Sequence, residues 1–118
     1  MIFAACDAAF QREGLYGYDD DGLRFILFCK AVVGMAGKLL GGPPDIVHAH
    51  DWHAALAPAL IATSARHMYP KTHTVLSLHN LAYQGVLDKE LMPLSGLGWE
   101  QFTMECAEWY DHLSLIHI

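Results

Sequence analysis

Three histidines and one aspartate fall within six consecutive residues, 48–53, which read HAHDWH. Imidazole and carboxylate groups bind metals, transfer protons and form hydrogen bonds to hydroxyl groups. On a strand, alternate side chains point to the same face, so His48 and His50 would project together. Three interpretations stay open for this segment: a metal site, buried histidines beside a helix start capped by Asp51, and a polar ligand site without metal.

The metal interpretation predicts a metal-dependent hydrolase that binds its ion through an H-x-H-D site of His48, His50 and Asp51. An H-x-H pair at the end of a strand begins the site of several such enzymes. The carboxylate, however, stands one residue too early for the H-x-H-x-D-H pattern of metallo-β-lactamase-type enzymes. We therefore expect no bound metal here.

Asp51 and Trp52 together suit a polar ligand such as a carbohydrate. A carboxylate at a helix start can accept hydrogen bonds from hydroxyl groups, and an indole offers a flat apolar face against which a sugar ring can lie. With the aromatic residues near Trp99, the same indole would also suit a carbohydrate-binding module without catalytic activity. That module and the hydrolase are two alternative functions for this chain.

A second polar segment, residues 79–85, reads HNLAYQG and follows an apolar run. His79 and Asn80 supply a titratable group, a donor and an acceptor, and Tyr83 and Gln84 add further hydrogen-bonding capacity. The closing glycine permits a sharp turn or a close backbone approach. The alternative interpretation is a polar turn that only connects two elements.

The elements that must position these segments alternate between strands and helices. The pattern of apolar residues and of Gly and Pro predicts a strand within 1–10, a loop at 11–21, a helix at 23–40 buried on most sides, a buried strand at 45–50, a helix at 52–67, a strand at 74–78, an irregular loop at 81–93 and one short helix within 99–110. Such alternation implies a parallel sheet, whose ligands bind at the carboxyl ends of the strands. Both polar segments fall there, so we expect them to meet in one hollow.

Composition limits the partners. The chain has 118 residues, of which 53% are hydrophobic, and a net charge of −6, so it has room for about one domain with a packed core. The acidic balance lacks the basic surface that nucleic acids and anionic membranes attract. The most apolar stretch contains Arg24, Lys30 and Lys38, which is too much charge for a membrane span. Three scattered cysteines without a C-x-x-C motif favour the reducing cytoplasm.

Two segments carry a resemblance to a known family. Residues 44–58, PDIVHAHDWHAALAP, and 78–85, LHNLAYQG, closely resemble the bacterial glycogen synthases and plant starch synthases of glycosyltransferase family five, and residues 12–17 and 23–25 are similar too. The resemblance implies an α/β fold, a partial Rossmann-like parallel sheet with flanking helices that forms part of the N-terminal domain of a GT-B glycosyltransferase. It also implies transfer of glucose from ADP-glucose, or UDP-glucose in some members, to the non-reducing end of an α-1,4-glucan, with retention of configuration and no cofactor. A plant member would work in the plastid.

The resemblance also assigns roles to individual residues. His79 matches the family's catalytic histidine beside the donor glucose, where it would bond a sugar hydroxyl and stabilise an oxocarbenium-like transition state. The expected substrate-binding residues are Asn80, Tyr83 and Gln84 around the donor pocket, and Asp51 and Trp52 on the acceptor side of the cleft.

The sequence also departs from the family. The family's Lys-x-Gly-Gly-Leu loop, which holds the donor phosphates, has no counterpart in the 118 residues, and neither has the second domain. We therefore expect residues 1–112 to be a partial, acceptor-side N-terminal domain without activity of its own. Residues 113–118, LSLIHI, are what one frame of a transposon-library sequencing adapter encodes, so we expect them to be a non-native tail.

Overall fold

The computed structural model describes residues 7–117, and their side chains from residue 9 onward. The helices are α1 (Asp7–Phe10), α2 (Asp21–Leu40), α3 (Asp51–Ala62) and α4 (Met92–Ser95), and the strands are β1 (Ile46–His50), β2 (His73–Ser77), β3 (Val86–Leu87), β4 (Glu108–Trp109) and β5 (His112–Ser114). Short 3-10 turns cover Lys89–Leu91 and Trp99–Gln101. None of the helices in this part of the chain is long and apolar enough to cross a membrane.

The unit that positions the polar segments is β1-α3-β2. The two strands pair in parallel, with Ile46 opposite His73 and His50 opposite Ser77, so both strands end at the same edge of the sheet. A parallel pair needs a crossover connection, and α3 supplies it. The α/β class with a parallel sheet and flanking helices is therefore confirmed.

The core lies where α2 and α3 pack against each other. Cys29 and Leu56 are fully buried at this contact. The hydroxyl of Tyr69, beyond the end of α3, donates a hydrogen bond to the carbonyl of Val33 and closes one end of the core. A glycine at φ 76°, Gly41, ends α2 in the left-handed conformation, as the sequence Gly-Gly-Pro-Pro indicates.

Two predictions about burial are wrong. The helix predicted at 23–40 exists, but Leu23 and Leu27 on its outer side are exposed, because α2 contacts α3 and α4 with only one face. The strand predicted as buried is also largely open: Ile46 is 62% exposed and only Ala49 is buried. Both the helix and the strand are apolar enough to be buried on several sides, but among the described residues their neighbours lie on one side only.

Several predicted boundaries and elements also differ. Of the strand predicted within 1–10, residues 1–6 lie outside the described part, and Asp7–Phe10 is a helical turn. Helix α3 ends at Ala62 rather than at residue 67. The irregular loop at 81–93 contains β3 and part of α4. The helix predicted within 99–110 is wrong, because after one 3-10 turn the chain forms β4 of an antiparallel β3-β5-β4 sheet.

Part of the hexapeptide at 113–118 is packed into this small sheet. Leu113 and Leu115 are buried, and the backbone N–H of Ser114 donates to the carbonyl of Ala107 over 2.8 Å. Two leucines separated by one residue can pack in a strand whether the segment is native or encoded by an adapter. The non-native origin of residues 113–118 therefore stays a prediction.

Candidate active site

The start of α3, which directly follows β1, and the turn after β2 are joined by a hydrogen bond. The backbone N–H of His79 donates a hydrogen bond to Oδ1 of Asp51 over 2.7 Å. Beside it, Nδ1 of His50 lies 2.9 Å from Nε2 of His79, with the two ring planes inclined by 10°. The structure thus brings the two polar segments of the sequence together at one edge of the sheet.

Asp51 does not cap α3 as predicted. It is the first residue of the helix, has a left-handed φ of 55°, and its carboxylate reaches across to the turn after β2. Aspartate is one of the few residues that tolerate this conformation. The His79 N–H lowers the pKa of the Asp51 carboxyl group, and burial acts in the opposite direction. The carboxylate is therefore charged at neutral pH and links two strand ends.

The histidines of this edge form a row. The rings of His48 and His50 lie 4.3 Å apart between centroids, and Nε2 of His48 is hydrogen-bonded to Oγ of Ser77 over 2.8 Å. No three His, Cys, Asp or Glu side chains among residues 9–117 group together as metal ligands would. The row is a polar surface in which His48 is hydrogen-bonded to Ser77 and His50 to His79.

Trp52 has little free face. The indole is 8% exposed and packs edge-on against Phe25, with ring centroids 5.0 Å apart. Above it passes Gly85 at φ 61°, where an added Cβ would lie 2.8 Å from Cβ of Trp52. The expected flat platform for a sugar is thus covered here. One side of Trp52 still lines a cavity of ≈ 340 Å³ together with Tyr83 and Gln84.

The loop after His79 is shaped by its own side chains. Oδ1 of Asn80 accepts a hydrogen bond from the backbone N–H of Ala82 over 3.0 Å, and Nε2 of Gln84 donates to the carbonyl of Leu81 over 3.3 Å. Asn and Asp commonly stabilise tight turns in this way. Tyr83 is 57% exposed. Asn80 and Gln84 therefore hold the loop in shape, while Tyr83 is accessible to a ligand.

His53 lies behind the site. Its ring packs among Tyr16, Phe25 and Trp52, at centroid distances of 5.1, 4.7 and 4.2 Å. Its Nε2 is buried and has no hydrogen-bond partner among the described residues. Burial lowers the pKa of this imidazole, and the nearby carboxylates oppose the shift. His53 is therefore a neutral packing residue at pH 7.

The contact between His50 and His79 was not predicted from the sequence. The signal lies in the strand register: His50 is opposite Ser77, and His79 follows two residues later. Because side chains alternate along an extended chain, residues 77 and 79 face the same way. The register of a parallel pair, however, depends on how α3 packs and not on the strand sequences alone.

Comparisons with known proteins agree with the fold described above. The starch synthase catalytic domain family matches residues 1–118. Glycogen synthases of Geotalea daltonii and Rhodopirellula baltica are each 40% identical to the chain, over 91% of its length and over 23% and 22% of theirs. A solved structure of the catalytic domain of starch synthase IV from Arabidopsis thaliana, bound to ADP and acarbose, matches with a TM-score of 0.78 and 27% identity, over 92% of this chain and 23% of that one.

A parallel α/β unit with polar residues at its strand ends, matched in this way, defines part of a GT-B glycosyltransferase. Within that class, the chain belongs to the starch synthase catalytic domain family. The resemblance and the fold class predicted from the sequence are confirmed, and the comparisons support neither the hydrolase nor the carbohydrate-binding module. The chain spans about a quarter of the length of the curated relatives that it matches.

Proposed function

We propose that this chain supplies the acceptor-side wall and the catalytic histidine, His79, of a retaining glucosyltransferase. The donor is ADP-glucose, and the acceptor is the non-reducing end of an α-1,4-glucan. The observation that supports this best is the hydrogen bond by which Asp51, at the start of α3, joins His79 after β2, in a chain 40% identical to glycogen synthases. The related starch synthase structure holds ADP and acarbose.

His79 is held at both its main chain and its side chain. Asp51 accepts from its N–H, and His50 is bonded to its ring. A group fixed in this way needs no reorganisation when charge develops on the reacting sugar, and such preorganised contacts are often the largest contribution to catalysis. We assign His79 the bond to a hydroxyl of the donor glucose and the stabilisation of positive charge in the transition state.

Of the other predicted residues, some can contact a substrate and others hold the loop in shape. Asp51 is ionised at neutral pH, where it can accept a hydrogen bond from an acceptor hydroxyl, and the His79 N–H lowers its pKa further. Tyr83 offers an exposed hydroxyl at the cavity. Asn80 and Gln84 shape the donor side of the loop, and Trp52 forms the floor beneath Gly85.

We expect the chain alone to transfer no glucose from ADP-glucose. The 118 residues contain no Lys-x-Gly-Gly-Leu loop and match only 23% of the length of the Geotalea daltonii glycogen synthase. Measurable turnover by the chain would contradict this expectation. We place the whole enzyme in the cytoplasm, or in the plastid for a plant enzyme, where a nucleotide sugar and a growing glucan would meet.

A segment exchange tests the proposal. Residues 9–112 of this chain replace the matching segment of the Geotalea daltonii glycogen synthase, and transfer of labelled glucose from ADP-glucose to glycogen is measured. We expect this hybrid protein, called the exchange enzyme, to be active. His79→Ala in the exchange enzyme should lower kcat by about 10²–10³-fold, the usual loss when one preorganised group is removed. The control is His67→Ala, since His67 is exposed beyond the end of α3. A folded but inactive exchange enzyme, or full activity of His79→Ala, would contradict the proposal.

A further inference from the structure

We propose that His50 is a positioning residue that selects the tautomer of His79. In this arrangement Nε2–H of His79 donates to Nδ1 of His50, which leaves Nδ1 of His79 as a hydrogen-bond acceptor. That the accepted group is a sugar hydroxyl rests on the proposed function; the tautomer selection itself rests on the geometry of the two rings.

The contact is one hydrogen bond between two imidazoles. Nδ1 of His50 and Nε2 of His79 are 2.9 Å apart, with ring centroids at 5.2 Å. A neutral imidazole has one nitrogen that donates and one that accepts. One of the two facing nitrogens must therefore carry a proton and the other must not, so the tautomers of the two rings are coupled.

The direction of the bond follows from tautomer stability. If His79 donates from Nε2, both rings are in the Nε2–H form, which is the more stable form of a free neutral histidine. If His50 donates from Nδ1, both rings must adopt the less stable Nδ1–H form. The preferences of the two rings add, and they favour donation by His79.

His50 is itself held in place. Its ring lies beside that of His48, 4.3 Å away between centroids, and His48 is tied to Ser77. The β1–β2 register keeps these residues opposite each other, with His50 paired to Ser77. The hydrogen-bond partner of an imidazole decides which of its nitrogens carries the proton. The row of histidines thus supplies His79 with a fixed acceptor.

The selected tautomer suits the proposed chemistry. An unprotonated Nδ1 accepts a hydrogen bond from a hydroxyl, and the neutral ring does not repel positive charge that develops on a sugar. No hydrogen bond to Nδ1 of His79 comes from residues 9–117, so this nitrogen is available to a ligand.

The tautomer is measured directly by long-range ¹H–¹⁵N correlation spectra of the full chain labelled with [¹⁵N]histidine. The spectra are recorded at about pH 8, where ordinary imidazoles are neutral. The signals of His79 are assigned by their loss in His79→Gln. We expect the wild-type chain to show the Nε2–H pattern for His79, and His50→Leu to raise the Nδ1–H population of His79 several-fold.

A conservative variant separates positioning from packing. In His50→Asn the amide Oδ1 can stand where Nδ1 stood and accept the same bond, so the Nε2–H pattern should persist. His67→Asn is the distant control and should change nothing at His79. A wild-type His79 in the Nδ1–H form would overturn the proposal. So would an unchanged pattern in a folded His50→Leu. If His50→Leu does not fold, the wild-type spectrum and His50→Asn still decide.

The exchange enzyme gives the functional readout. There we expect His50→Leu to lower kcat on the order of tenfold, as when other partners that orient an imidazole are removed, with KM unchanged. His50→Asn should recover most of the rate. Equal kcat values for wild type and His50→Leu would overturn a positioning role. An inactive exchange enzyme whose chain shows the expected tautomer would contradict the proposed function alone.

Discussion

Asp51 and His79 are 28 positions apart in the chain, yet the carboxylate of one accepts the backbone N–H of the other over 2.7 Å. The bond fastens the start of α3 to the turn after β2. It also accounts for the left-handed φ of 55° at Asp51, which turns the side chain away from its own helix. The contact therefore holds the two polar segments together at the edge of the sheet.

Two substitutions at Asp51 should differ in how strongly they destabilise the folded chain. Asp51→Asn keeps an oxygen acceptor and a residue that tolerates left-handed φ, so we expect a small fall in the urea midpoint. Asp51→Ala removes the acceptor and also introduces a residue that rarely adopts a left-handed φ, so it should lower the midpoint further. Tryptophan fluorescence during urea unfolding measures both variants. An alanine variant as stable as the asparagine variant would show that the bond to His79 contributes nothing.

Gly85 should be intolerant of any side chain. Its φ is 61°, and an added Cβ would lie 2.8 Å from Cβ of Trp52. Overpacking and the left-handed conformation together should make Gly85→Ala less stable by about 3 kcal/mol. The matched control is Gly34→Ala, in the middle of α2, where nothing lies within 4 Å of the added Cβ. That change should stabilise the chain by about 0.5–1 kcal/mol. Similar unfolding free energies for both variants would contradict the packing of Trp52 against Gly85.

His53 should make stability depend on pH. Burial lowers its pKa in the folded chain, so folding favours the neutral ring. This contribution is fully present above the unfolded value of about 6.5 and is lost as the pH falls towards the lower folded value. Between about pH 8 and pH 5.5 the wild-type chain should therefore lose more unfolding free energy than His53→Phe. Parallel losses in the two proteins would indicate that the ring is solvated.

Cys29 should be an inert thiol. It is fully buried, and burial raises its pKa to about 11. The thiolate is the reactive form, so at about pH 8 very little of it is present. We expect Ellman's reagent to leave Cys29 unmodified in the native chain and to reach it only after unfolding. Cys29→Ala should lose one thiol from the unfolded count and none from the native count. A lower native count would contradict the burial.

The sequence by itself determined the elements of the parallel unit. The strand predicted at 74–78 is β2 at His73–Ser77, and the helix predicted at 23–40 is α2 at Asp21–Leu40. Apolar periodicity and the positions of Gly and Pro are local properties, and they set these two elements within two residues, whereas the end of α3 was predicted five residues too late. The same rules placed two polar segments after two parallel strands. The sequence therefore predicts that the site lies at the carboxyl-terminal edge of the sheet.

The tertiary structure decided which atoms of those segments face each other. Part of the segment predicted as a helix within 99–110 is the strand β4, because β5 pairs with it. The indole of Trp52 has no open face because Gly85 passes over it. The bond from His79 to Asp51 and the pairing of its ring with His50 depend on the register of β1 against β2. That register is set by how α3 packs across the strands, and packing of distant residues leaves no periodic signal in the chain.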